Sequence, residues 1–338
     1  MPSRTRCTAL CLMIATIAIS FAGCKVGPNF ARPWTRVNDN WAISSRPEYY
    51  GNLTDLSQWW LHLNDPTLTE LICTARMQNL SIQEAGARVL EARYRQAVAT
   101  GNLFPQAQAG VGSFSNAKTS TNVANFFSIP GIFTPNTHPE NWQVGLQASW
   151  ELDFWGRYRR IIEAAEATAC EREAIHQDVM VLVCSEVAAA YVEIRSLEAQ
   201  MELASRNLEI QQRTLKIAED KLNAGLGNAI DSAQARTILG QTESVIPGLE
   251  IRRRQSNHRL CLLLGYPPAD LTGAAGATGN IPEPSINLAF GIPADLLRRR
   301  PDVRSAERRL AAQSAKIGVA EAEFYPHISL LGSIGYSA

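Results

Sequence analysis

The sequence predicts a mainly α-helical chain that also carries membrane-type β strands and is dominated by long antiparallel helical hairpins. Three observations predict this class. Between Arg157 and Ala224 neither proline nor glycine occurs, so nothing interrupts a helix of roughly 68 residues, on the order of 100 Å at 1.5 Å per residue. From Gln143 to Leu152, polar and apolar side chains alternate without a break, the pattern of a strand with one apolar face. Finally, Leu80 to Ser115 returns in outline as Pro301 to Tyr336, and Leu103-Phe104-Pro105 is answered by Phe324-Tyr325-Pro326. Five of the 36 aligned positions are identical, so the order of elements supports the repeat better than identity does.

Composition sets the outer limits. The 338 residues carry 32 basic and 32 acidic side chains and 46% hydrophobic residues, a balance that argues against a nucleic-acid partner and allows a sizeable core. After residue 24 there is no run of eighteen apolar residues, so a membrane would be crossed by strands and not by a helix. The seven cysteines include no CxxC spacing and no nearby histidine, which excludes a recognisable zinc site. Cys73, Cys170, Cys184 and Cys261 read as small buried residues on helices rather than as a disulfide pair.

Arg4 and Arg6 precede the apolar stretch Ala9 to Ala22, and small residues then lead to Cys24. This is the layout of a signal peptide over residues 1–23. Two readings of Cys24 are open: the acylated first residue of a bacterial lipoprotein, or a bystander beside an ordinary cleavage site. Acyl chains on Cys24 would hold the protein at a membrane surface without a spanning helix. Residues 24–64 have no sustained period and several tryptophans, and read as an extended arm.

A first structural unit is expected over residues 65–268. Its helical part, 65–101, opens with Asp65 as N-cap and Pro66 in the first turn, and a second helix is expected to start near Ser81, with Ser81 capping and Glu84 completing a capping box. Strands follow at 106–115, where Ala107, Ala109 and Val111 form the apolar set, and at 142–153. Alternation alone does not separate a barrel strand from a half-buried strand in a soluble sheet. The long helix 157–224 carries Val187, Tyr191, Ile194, Leu197, Met201, Ala204, Leu208, Gln211, Leu215, Ala218 and Leu222 at spacings of three and four, a coiled-coil seam. It stops at Gly225-Leu226-Gly227, Asn228 or Asp231 starts the return helix 228–264, and Pro247 is a candidate kink. Residues 269–294 read as a linker. From 295 to 338 a second unit begins, its helix opened by Pro301-Asp302 and its strand carrying Ile328, Leu330, Gly332, Ile334 and Tyr336 on one face, so the chain is expected to carry one complete unit and the truncated start of a second.

Gly23-Cys24-Lys25-Val26-Gly27-Pro28-Asn29-Phe30 with Arg32-Pro33, Trp59-Trp60 with Asn64-Asp65-Pro66, Asp153-Phe154-Trp155-Gly156-Arg157, Leu262-Leu263-Leu264-Gly265, and Arg299-Arg300-Pro301-Asp302-Val303 with Ala306-Glu307 and Phe324-Tyr325-Pro326 form a set. As a set they resemble the TolC-type outer membrane efflux proteins, and more nearly the NodT-type lipoprotein branch serving resistance-nodulation-division pumps. The resemblance implies a homotrimer in the outer membrane of a Gram-negative cell, four strands per protomer in one twelve-stranded barrel, and helices forming a periplasmic tunnel. It implies a passive exit duct for drugs or other small toxic compounds, working with a periplasmic adaptor and an inner-membrane pump, and no cofactor, metal or catalysis. Gly225, Leu226, Gly227 and Asp231 would then lie at the periplasmic tip that meets the adaptor. Asp231 falls at the position of the family's first-repeat acidic tip residue; the alternative is that it only caps a helix.

Other classes are weighed on the same residues. His62, His138, His176, His258 and His327 are scattered, and neither HExxH nor GxSxG occurs, which argues against an enzyme. A type I secretion duct for protein cargo shares the architecture. A soluble coiled-coil adaptor lipoprotein would lack the alternating strands between helices.

Overall fold

The computed structural model describes residues 25–34, 57–118, 120, 140–270, 281–283 and 297–338. The expected signal peptide, Cys24 and most of the expected linker lie outside them. Among the described residues, a short 3₁₀ turn, Trp59–Leu63, is followed by α1 (Pro66–Gln78), α2 (Leu80–Gly101), β1 (Ala107–Asn116), β2 (Glu140–Glu151), α3 (Arg157–Asn223), α4 (Ala229–Leu264), α5 (Pro301–Ala322) and β3 (Ser329–Ser337). These elements form two compact units that do not follow the sequence repeat. One takes the described residues up to Pro33 with Leu90–Glu171 and Ala306–Ala338, the other Trp34–Val89 with Arg172–Ser305.

The second of these units is a helical core. Asp65 caps α1 by accepting from the Leu68 amide at 3.0 Å, and Pro66 needs no donor at the first helical position. The spacing of Leu68, Leu71, Ile72 and Ala75 puts one stripe of α1 against Val187, Tyr191 and Ile194 of α3 and Leu260, Cys261 and Leu264 of α4, and all ten are buried. Tyr191 reaches the polar edge of this core, its hydroxyl donating to Asp65 at 2.7 Å and accepting from Arg195 at 3.2 Å. Arg195 in turn pairs with Glu198 at 2.9 Å. Trp60 is buried beneath the Arg76 guanidinium, 5.8 Å from its ring centre. The described cysteines are free; Cys184 and Cys261 are buried, Cys170 is half-buried, and Cys73, expected inside, is exposed because it falls off the Leu68–Leu71–Ile72–Ala75 stripe.

Within residues 65–101 the two helices meet at Asn79. The α2 cap is not Ser81: the Asn79 side chain accepts from the Ser81 and Ile82 amides at 2.9 and 3.1 Å. Its amide nitrogen also donates to the Leu263 carbonyl at 2.8 Å, while Glu84 pairs with Arg88 in place of closing a capping box. Asn79 thereby joins the α1–α2 break to the end of α4, where Gly265 adopts φ +75° and caps that helix. A side chain at Gly265 would also start 2.9 Å from the Gln78 carbonyl, so the close approach and the left-handed backbone both select glycine.

Helix α3 runs 67 residues without a break. Of its expected seam, Val187, Tyr191, Ile194 and Leu197 are buried; Met201, Ala204, Leu208, Gln211, Leu215, Ala218 and Leu222 are only half-covered. Pro247 sits inside α4, which continues through it. Two exposed ion pairs, Glu186–Arg259 at 3.8 Å and Glu193–Arg252 at 3.9 Å, repeat at an interval of seven on both helices. Exposed pairs of this kind contribute little stability, but they mark the antiparallel register.

In the other unit, Asp153 accepts from the Tyr158 and Arg159 amides at 2.9 and 3.1 Å and caps α3, while Gly156 (φ +78°) makes the turn. The arm lies against this start. Val26 donates its amide to the Trp155 carbonyl at 3.1 Å. Arg160, fully buried, donates from Nε to the Val26 carbonyl at 2.8 Å and from Nη2 to the Gly27 carbonyl at 2.6 Å and Asn29 Oδ1 at 3.1 Å. Its Nη1 is paired with Glu163 at 2.9 Å, and Lys25 also pairs with Glu163. Partial burial pushes the Glu163 carboxyl up; hydrogen bonds and charge from Lys25 and Arg160 outweigh this and hold it below the ordinary carboxylate range.

Asn79→Ala should lower stability by about 1–3 kcal/mol, since it removes a cap and leaves the Leu263 carbonyl unpaired. Ser81→Ala should change it by under about 0.5 kcal/mol; equal losses in thermal unfolding followed by circular dichroism would place the cap at Ser81 after all. Because its folded pKa is depressed, Glu163 stabilises at neutral pH, and this contribution disappears as pH falls through the lowered value. The acid limb of unfolding should therefore be shallower in Glu163→Gln than in the parent.

Candidate functional site

The three strands form one antiparallel sheet in the order β1-β2-β3. Register settles which residues share a face, because directly paired residues point the same way. Opposite Val144, Leu146 and Trp150 of β2 stand Tyr336, Ile334 and Leu330 of β3. Opposite Trp142, Val144 and Leu146 stand Phe114, Gly112 and Gly110 of β1. Phe114 and Trp142 touch, with ring centres 4.4 Å apart. Most large members of this face are exposed: Ile334 is 76% exposed, Tyr336 70% and Leu146 64%, whereas Trp150, at the sheet's base, is half-buried and donates to the Leu103 carbonyl at 3.1 Å. An apolar face this open is costly in water, and it is the surface that hydrocarbon would cover.

The opposite face carries Ala107, Ala109, Gln147, Ser149, Leu331 and Ser333. The expected apolar set of β1 is thus inverted: Ala107 and Ala109 pair with Ser149 and Gln147 and belong to the polar face. Small residues alternating with glycines gave no directional signal, and only the partner strand fixes it. Among the described residues, the outer edges of β1 and β3 have no strand beside them.

Below the sheet, strand ends and helix starts are joined by a polar collar. Glu151 accepts from the Tyr158 hydroxyl at 2.9 Å and pairs with Arg157 at 3.3 Å and His327 Nδ1 at 2.8 Å. Glu323 pairs with Arg157 at 2.6 Å. Burial lowers and the two carboxylates raise the Arg157 pKa, with a net upward result, whereas burial and donation to Glu151 both push Tyr158 up. Trp155 stacks on Tyr325 at 4.6 Å and donates to the Pro326 carbonyl at 3.0 Å. The aromatic step that ends α5 thus meets the Asp153–Arg157 turn that opens α3.

At the other candidate place, the turn between α3 and α4, Gly225 (φ +72°) donates to the Leu222 carbonyl and Leu226 to that of Lys221, a Schellman-type end. A side chain at Gly227 would start 3.0 Å from the Leu222 amide, and Leu226 is 83% exposed. Asn228 takes the cap, its side chain accepting from the Ile230 amide at 3.1 Å. Asp231 is therefore not the cap; it lies exposed in the first turn, where the positive helix end favours a carboxylate. Arg236 and Glu219 pair across the hairpin at 2.8 Å. The Arg160 site escaped sequence reasoning. Its one flag was Gly318, an isolated glycine inside a helix.

Among the described residues no helix is long and apolar enough to cross a membrane, and no group of histidine, cysteine and carboxylates is placed to hold a metal. The family model described as outer membrane efflux protein matches residues 71–266. Nodulation protein T of Rhizobium leguminosarum bv. trifolii is 32% identical over 95% of the chain, and the cation efflux system protein CusC of Escherichia coli 30% over 94%. The chain spans 66% of the length of each of these relatives. The solved outer-membrane channel OprN superposes with a TM-score of 0.80 at 32% identity, covering 93% of this chain and 68% of that one. Matched over more than half its length, in the helices and strands just described, the chain belongs to the outer membrane efflux protein family.

Proposed function

We propose that this chain is a subunit of a passive outer membrane exit duct that carries drugs or other small toxic compounds from a tripartite efflux system. The family is one of channels rather than enzymes. The observation that carries the reading is the sheet: one face is openly apolar, the other is mostly small and polar apart from Leu331, and among the described residues neither outer edge has a strand beside it. In lipid an unpaired strand edge leaves backbone groups without hydrogen bonds, so three strands must be completed by strands from elsewhere and by further copies of the chain. A homotrimer satisfies this need. The half-covered seam from Met201 to Leu222 supports the same assembly, since one hairpin does not bury it.

The rest of the proposal follows the resemblance. Cys24 carries the lipid anchor; Gly225, Leu226, Gly227 and Asp231 form the tip that meets a periplasmic adaptor; an inner-membrane pump of the resistance-nodulation-division type supplies the cargo. Three copies of Asp231 make an acidic ring at the tip, placed to attract cations. Relatives bear names as different as cation efflux and toluene efflux, which fits a duct whose selectivity resides in the pump.

Expressed in a Gram-negative host, the full chain should need detergent for extraction and run as a trimer; release by a salt wash would sink the reading. On β3, Ile334→Lys should cost about 2–4 kcal/mol of folded-trimer stability and Ser333→Lys far less, read as the yield of heat-modifiable trimer. Equal yields would mean that the apolar face does not meet lipid. In single-channel recordings of the trimer, Asp231→Ala should weaken block by multivalent cations about tenfold. Unchanged block and current would remove Asp231 from the gate.

A further inference from the structure

Residues 25–32 touch both helices that carry the strands β2 and β3. On the α3 side, Arg160 holds the carbonyls of Val26 and Gly27 and the side chain of Asn29, and Lys25 pairs with Glu163. On the α5 side, Arg32 pairs with Glu307 at 2.6 Å. Between them Phe30 packs on Ala167 of α3 and on Ala311 and Ala312 of α5. Gly27 (φ +85°) crosses α5 so closely that a side chain there would start 2.3 Å from the Gly318 Cα. One at Gly318 would start 2.7 Å from Arg160 Nε and 2.9 Å from the Val26 carbonyl.

We infer that residues 25–32 are an intramolecular staple, seated by the positioning residue Arg160, which sets α3 and α5 in register and through them the pairing of β2 with β3. The need is specific. β1 and β2 are consecutive strands, but β3 comes more than half the chain after β2, and no turn fixes its register. A strand pairing without such a device can slip, and a slip of one residue moves every side chain to the other face. Other ties join the same helices: Arg309–Glu171 at 2.8 Å and Arg157–Glu323 at 2.6 Å. These ride on long side chains that follow a shift of one residue, about 3.3 Å. The Gly27–Gly318 crossing does not follow it. Gly318 is the one glycine of α5, flanked by Ile317 and Val319, and either neighbour at the crossing would drive a β-branched side chain into the arm's backbone. Arg160 reads the arm through backbone carbonyls that exist at every residue, so the glycine pair gives the position and the arginine gives the hold. A buried guanidinium must keep its acceptors, so release of the arm leaves Arg160 with Glu163 but without the three acceptors the arm supplies.

The test uses the full chain in outer membranes with Cys73→Ser, and two readouts. Val26→Cys reports release of the arm through maleimide labelling. Gln147→Cys with Ser333→Cys, which face each other in the β2–β3 register, reports correct pairing through disulfide formation, and Gln147→Cys with Leu331→Cys reports a two-residue slip. Arg160→Met and, separately, Gly318→Ala should speed labelling at position 26 by about tenfold. Both should move cross-linking from the first pair to the second or lower it about fivefold. Alanine favours helix over glycine, so a Gly318→Ala defect cannot arise from a weakened α5, and this variant decides the matter if Arg160→Met fails to fold. Rapid labelling with unchanged cross-linking would overturn the register role; unchanged labelling in Gly318→Ala would overturn the seat itself.

Discussion

The pairing of β2 with β3 is the constraint on which the rest of the strand-bearing unit depends. In hydrocarbon a strand must give every backbone group a partner, and a central strand needs one on each side. β1 supplies the first through local sequence, and β3 supplies the second from far along the chain. The collar of Glu151, Arg157, Glu323 and His327, the Trp155–Tyr325 stack and the arm seated on Arg160 all lie where those distant segments must be brought together. Arg157 is shared there between Glu151 and Glu323, so one guanidinium ties the end of β2 to the end of α5.

The helical unit meets a different demand. Its core is compact only where α1, α3 and α4 come together around Val187, Tyr191 and Leu260. Farther along, α3 and α4 have only each other, and the seam from Met201 onward stays half-covered. A two-helix hairpin cannot bury an all-round seam, because each helix offers one contact stripe to one neighbour. A seam left half-covered by one hairpin leaves apolar surface that a further neighbour could bury.

Much of this was legible in the sequence, and the reasons differ by element. The extent of α3 was readable because long uninterrupted helices need only the absence of breakers and a steady apolar period, and Asp65 and the C-terminal glycines Gly225 and Gly265 announced themselves by local chemistry. Strand β2 showed its faces through large side chains. β1 did not, since alanine, glycine and serine carry too little hydrophobic contrast, and its facing was decided by Ser149 and Gln147 across the ladder. The α2 cap was misread because Ser81 fits the local pattern, whereas Asn79 is favoured by a carbonyl at Leu263 that local pattern does not contain. Arg160 was invisible for the same reason. An arginine in the first turn of an amphipathic helix reads as surface, and its acceptors are backbone groups common to every sequence. The tip turn was legible as a turn; that Asn228, and not Asp231, would cap α4 required the coordinates.

The seven-residue interval shared by Glu186–Arg259 and Glu193–Arg252 has a consequence for how such a chain can change length. Adding one residue to α3 would turn everything beyond it by about 100° and carry the seam off its partner. Adding seven would bring the seam back nearly into line, provided α4 gained seven as well. Length in this hairpin is therefore quantised: viable insertions and deletions come in matched heptads on both helices, and relatives with longer or shorter hairpins should differ by about two turns at a time.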